Sequence, residues 1–217
     1  MPEIDDRCRL VLIAPETDDA EALAATVTDA LRGGDVATLI LPQYAMGDTA
    51  YQVLAERIVP IAQRADVAVV IAGDSRVAGR AKADGLHVEE GIEAAADAVG
   101  KFSPKLIVGV GRVKDRHVAL EVGELRPDYV FFGRLEGDIK PEAHPKVLAL
   151  AEWWASMVEI PCIVMGGTGI ASALEVAGTG AEFVAMRRAV FDDPRGPAQA
   201  VAEINALLAE NAPRFGT

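Results

Sequence analysis

Cysteine, positive charge, long apolar runs and linker-like tracts are all scarce in this chain, and each shortage removes a class of protein. The only cysteines are Cys8 and Cys162, each in or beside an apolar run. Two cannot build a disulfide framework, and buried thiols in a reducing compartment are the simpler reading. No apolar run approaches the roughly 18–20 residues of a membrane span. The opening MPEIDDRCRL has no basic stretch followed by an apolar one, so no secretory signal is expected and a cytoplasmic location is. Lys and Arg number 21 against 33 Asp and Glu, a net charge of −12. Such a chain repels nucleic acid and anionic membrane at long range, which sets both aside as partners. No Pro/Ser/Gly tract or low-complexity block divides the sequence, so residues 1–217 read as one domain.

Hydrophobic residues, by contrast, make up 51% of the chain, enough for a sizeable core. They gather in eight short runs: Arg9–Ala14, Val36–Leu41, Val67–Ala72, Gly85–Val88, Leu106–Val110, Tyr129–Gly133, Cys162–Met165 and Phe183–Met186. Each is near-continuous rather than alternating, the pattern of strands covered on both faces. Alanine-rich stretches with helical spacing lie between them, at Asp18–Leu31, Ala50–Gln63, Gly91–Val99, Pro145–Val158, Ile170–Ala177 and Pro197–Leu208. Asp48-Thr49 and Ser172 read as helix starts, and Gly33-Gly34, Gly100 and Gly178 as stops. The third and fourth helices read as short. Eight strands alternating with helices over about 200 residues predict an α/β fold, a single (β/α)8 TIM barrel. A doubly wound sheet is the alternative, but no GxGxxG follows the first run.

The segment Ile160–Ala189 carries the clearest chemistry. It joins a Gly-Gly turn, Gly166-Gly167-Thr168, to a second run ending on Arg187-Arg188. In a parallel barrel this aims backbone N–H groups and two cations at one spot beyond the strand ends, where a phosphate is usually held. The ligand expected is therefore a small phosphorylated metabolite. Other polar residues follow the remaining strands: Asp74-Ser75-Arg76, His87 with Glu89-Glu90, Arg112 with His117, and Arg134 with Lys140. His117, in a basic loop, is the imidazole best placed by sequence to move a proton. His87 reads equally as a satisfied core histidine. Asp74 with Glu89 or Glu90 could hold Mg2+, or Asp74 could simply cap the next helix. His144, before Pro145, reads as a helix-entry residue. Trp153-Trp154 cannot share one helix face, which hints at a core residue beside a homodimer contact.

With these residues in view, the chain resembles the thiamine-phosphate synthase and thiazole tautomerase superfamily. ADGLHVEE is similar to the family's fourth-strand segment, VGVGR followed by His117 to the fifth strand of the tautomerase branch, and PDYVFFGRLEGDIK to the sixth strand and its lysine-bearing loop. IPCIVMGGTG and GAEFVAM resemble the paired segments that bind the thiazole phosphate. The resemblance implies a (β/α)8 barrel, Mg2+, substrate contacts at Arg76, His87, Arg112 and Arg134, and a catalytic role for Lys140. It departs from the synthases at the second strand, where TLILPQ has neither cation of the family's diphosphate grip, and after the eighth strand, where Arg188 replaces a serine. Three functions are consistent with this pattern. They are the synthase condensation of hydroxymethylpyrimidine diphosphate with thiazole phosphate, metal-free thiazole tautomerisation through His117, and non-catalytic binding of a phosphorylated metabolite.

Overall fold

The computed structural model describes residues 6–215; the first five residues of the opening, read above for a secretory signal, lie outside them. Eight parallel strands close into a barrel in chain order: β1 Arg9–Ile13, β2 Thr38–Pro42, β3 Ala68–Ala72, β4 Gly85–Val88, β5 Ile107–Val110, β6 Tyr129–Phe132, β7 Cys162–Met165 and β8 Phe183–Met186. Closure is made by β1 pairing with β8, with Val11 opposite Ala185. All eight apolar runs become strands, because a barrel strand is buried inside by its neighbours' side chains and outside by helices.

Nine helices surround the barrel among the described residues. They are α1 Ala20–Ala30, α2 Asp48–Gln63, α3 Ser75–Ala81, α4 Ile92–Phe102, α5 Arg116–Glu124, α6 Pro145–Ala155, α7 Ser172–Ala177, α8 Arg188–Phe191 and α9 Pro197–Asn211. Apolar spacing does not announce α3 and α5, since each buries only two or three small or branched residues. Their N-caps do: Asp74 accepts from the Arg76 amide and Asp115 from that of Val118. Gly100 does not stop a helix but lies inside α4, which runs on to Phe102. None of the helices is long and apolar enough to cross a membrane.

The core has two compartments. The larger fills the space between sheet and helices, where Trp154 packs edge-on against Phe132 and donates its indole N–H to the Ile160 carbonyl at 2.8 Å. Its neighbour Trp153 is half-buried at the edge of the same core, edge-on to Trp154 and beneath the Arg116 guanidinium. The smaller compartment fills the barrel itself with Val11, Ile13, Ile40, Val70, Tyr129, Phe131, Ile163, Met165 and Ala185. Gly109 makes room for the largest of these, because a Cβ there would fall inside the Tyr129 ring, 1.9 Å from its Cζ. The barrel is thus filled by apolar side chains beneath its C-terminal mouth.

Candidate active site

Strand alternation selects what enters the mouth. On β4 the inward residue is His87, followed two positions on by Glu89; on β8 Phe183 and Ala185 face inward, and Arg187 comes next. His87 is 3% exposed, stacked on Tyr129 and edge-on to Phe131. Its Nδ1 lies 2.9 Å from the Tyr129 hydroxyl, while its buried Nε2 has no hydrogen-bond partner. Burial pushes the Tyr129 phenol far above its ordinary value, so it stays protonated. The arrangement that satisfies the phenol donates its O–H to Nδ1 and leaves Nε2 as an N–H donor, an assignment from the network. That donor faces the Glu89 carboxylate, 3.9 Å away. Gly111 keeps the approach open, for a Cβ there would lie 2.5 Å from Nε2.

Glu89 also meets Arg112, whose Nε is 3.5 Å from Oε2. Burial alone would raise the Glu89 carboxyl, but His87 and Arg112 outweigh it and hold it below the ordinary carboxylate value. Arg112 takes this position with φ +56°, and Tyr44, across the mouth, has φ +49°. Two left-handed non-glycine residues at one rim are backbone strain held by the fold. The Tyr44 hydroxyl donates to the Ala14 carbonyl at 2.7 Å, and burial pushes its phenol up to about 12 although the neighbouring Arg187 pulls the other way. Together Tyr44, His87, Glu89, Glu90 and Arg112 line a mouth cavity of about 370 Å³.

The β7–β8 end is built differently. Asp138, in the loop after β6, is 1% exposed. It accepts from Arg187 Nε at 3.0 Å and Nη2 at 2.6 Å, and from the Arg188 amide at 2.8 Å. The expected cradle of free amides is corrected here, since each is already occupied. Gly166 donates to the Ala185 carbonyl, Gly167 to Ser172 Oγ, and Thr168 to the Lys140 carbonyl at 2.7 Å. Gly167 is required, because a Cβ would come within 2.2 Å of the Pro141 carbonyl oxygen. The Arg188 guanidinium turns to Asp192 at 2.8 Å rather than into the mouth. A cavity of about 320 Å³ remains beside this end, lined by Thr168, Ile170, Arg188 and Ala189.

The other expected residues divide. His117 is the second residue of α5, its side chain 84% exposed and 3.5 Å from Glu121, and it lines none of the cavities described here. An imidazole on a helix surface has no reacting group to reach. Asp74 caps α3 and is chelated by the Arg76 guanidinium, which holds its carboxyl below the ordinary value through that hydrogen bond. The capping alternative is the one observed, and Arg76 is spent on it. His144 caps α6, as its place before Pro145 implies. Lys140 and Arg134 are exposed on the β6–α6 loop, with no ion-pair partner among the described residues. No cluster of three His, Cys, Asp or Glu side chains suited to a metal occurs among the described residues. Asp74 and Glu90 do line one groove, and Mg2+ needs only one or two carboxylates when substrate phosphates complete its shell. Sequence reasoning misses Asp138, Tyr129 and Tyr44, whose roles arise from contacts across strands.

Residues 10–190 match the family described as thiamine monophosphate synthase. A thiamine-phosphate synthase of Rhodospirillum centenum is 36% identical over 205 residues, covering 93% of this chain and 98% of that relative. One from Hyphomonas neptunium is 33% identical, covering 93% and 94%. The solved thiamine phosphate pyrophosphorylase of Pyrococcus furiosus superposes with a TM-score of 0.76 at 22% identity over 96% of this chain and 98% of that one, a likeness of fold. The match over residues 10–190 and the near full-length similarity agree: the chain belongs to the thiamine monophosphate synthase family.

Proposed function

We propose that this protein joins hydroxymethylpyrimidine diphosphate to thiazole phosphate, releasing pyrophosphate. The observation that carries the reading is the 36% identity with a thiamine-phosphate synthase across nearly the whole of both chains. Two separate cavities at the C-terminal face, at the mouth and beside β7–β8, support a reaction of two substrates. In the step, the bond between the pyrimidine methylene carbon and the diphosphate oxygen breaks, and its electron pair leaves with pyrophosphate. The thiazole nitrogen lone pair then bonds to that carbon, and no net proton transfer is required.

The chain's part is electrostatic. Arg112 and Lys140 face the charge that develops on the leaving group, where fixed donors outperform water because they need no reorganisation. His87 Nε2–H offers the mouth's buried donor to substrate, held in orientation by Tyr129. With the amides of the Gly-Gly turn occupied, the thiazole phosphate would lie against Thr168 and Arg188 in the cavity that Asp192 and Asp193 also line, displacing Asp192 from the Arg188 guanidinium. With Asp74 engaged by Arg76, Glu90 on the same groove would help hold Mg2+ together with the substrate phosphates, and the ion when bound would supply further positive charge to the departing diphosphate. Tautomerisation through His117 has no comparable support, given where that ring lies.

The test is pyrophosphate release by purified protein supplied with both phosphorylated substrates and Mg2+. Release that depends on both substrates is expected. Release no faster than in the protein-free control, with thiazole phosphate still bound by calorimetry, would replace this reading with the non-catalytic one.

A further inference from the structure

The loop between β6 and α6 crosses the C-terminal face with little to hold it down. Leu135 at one end sits in the barrel core, and Ala143 at the other is buried with its amide on the Glu175 carboxylate. Between them, Asp138 is the one buried residue of segment 136–142, and Ile139 beside it is 80% exposed. Two backbone bonds also tie the segment to the end of β7, from the Thr168 amide to the Lys140 carbonyl at 2.7 Å and from Gly169 to Pro141 at 3.1 Å. A segment that buries no apolar side chain opens at a small fraction of the cost of global unfolding. Gly137 lies between the anchored Leu135 and Asp138, where a hinge can absorb the change in backbone angles.

The strong tie is ionic. The Asp138 carboxylate fills a spot on which the Arg187 guanidinium and the Arg188 amide converge. Arg187 reaches on to the Tyr44 hydroxyl. The tie therefore runs from Tyr44, which lines the mouth cavity, to Arg188, which lines the cavity beside β7–β8. Those two cavities share no lining residue. While the tie holds, a ligand in one is walled off from a ligand in the other.

We infer that segment 136–142 is a flap latched by Asp138, which lifts when an oxyanion exchanges with that carboxylate and so joins the two cavities. A phosphate monoester carries up to about two negative charges at neutral pH, against one on Asp138, and has more oxygens to accept with. The exchange leaves Arg187 paired in both states, so no half-buried cation is stranded. The flap goes beyond the proposed reaction, which it would serve by letting two substrates meet, and its test needs no turnover.

The experiment is amide hydrogen exchange on the full chain, followed residue by residue by NMR. Inorganic phosphate is the competing anion, and chloride at matched ionic strength is the control. The reporters are Thr168 and Gly169, whose N–H groups are released when the flap lifts; Ala14, bonded to the Ile40 carbonyl, reports on the barrel. Phosphate should speed exchange at both reporters at least about threefold, the mass-action gain of an anion that binds the open form, and leave Ala14 unchanged. Asp138→Asn lacks the charge that holds Arg187, and should exchange at least about tenfold faster at both reporters before phosphate is added. Circular dichroism checks that this variant folds; if it does not, the response of the parent alone decides. Exchange in the parent that phosphate does not speed, or a folded Asp138→Asn as slow as the parent, would overturn the flap. A flap opened by phosphate in a protein that releases no pyrophosphate would instead sink the synthase reading and leave the flap standing.

Discussion

The two halves of the barrel mouth spend their polar groups in opposite ways. At the β7–β8 end the donors are consumed internally: Asp138 takes the Arg187 guanidinium and the Arg188 amide, and the loop carbonyls take Thr168 and Gly169. At the β4–β5 end a buried imidazole nitrogen has no partner, and Arg112 stands on a left-handed backbone beside Glu89. The glycine- and arginine-rich half, the more conspicuous in sequence, spends its backbone donors on structure, sewn to the β6–α6 loop, and leaves only side chains to line its cavity. The plainer half holds the unsatisfied donor. Saturated hydrogen bonding produces rigidity, whereas an unmet buried donor persists only where something else meets it.

The comparison can be broken most decisively at Asp138. Asp138→Ala leaves the half-buried Arg187 guanidinium without its counter-charge, and should cost about 3–5 kcal/mol in urea denaturation. A loss under about 1 kcal/mol would mean that the β7–β8 end is not held by this pair. A smaller effect is expected at Glu89, whose carboxyl is held below its ordinary value of 4.5 in the folded protein. Stability from such a group is present above that ordinary value and fades as pH falls through the lowered one. The stability gap between the parent and Glu89→Gln should therefore be open at pH 7 and close toward pH 3; a gap independent of pH would show that Arg112 and His87 do not stabilise the charge. The smallest effect belongs to His117→Ala, which should leave both pyrophosphate release and stability within about 0.5 kcal/mol of the parent. A large loss of turnover would bring that ring back into the site.

Legibility followed the range of the interaction. The strand ends match the apolar runs almost residue for residue, as at Gly85–Val88 and Phe183–Met186, because burial on both faces leaves a local mark. Caps at Asp74 and His144 are equally local, reaching only two residues along the chain. His117 misled because a basic loop and the first turn of a helix have the same composition. Asp138 was silent because its partner lies 49 residues away and nothing nearby in sequence reflects the pair.

The sequence by itself determined the barrel, its eight strands and the face on which polar groups collect, since hydrophobic periodicity is written in neighbouring residues. Only the tertiary structure decided which of those groups are already taken. Whether an arginine or an amide hydrogen remains available depends on acceptors brought from distant strands, and closure of the barrel is what sets those distances.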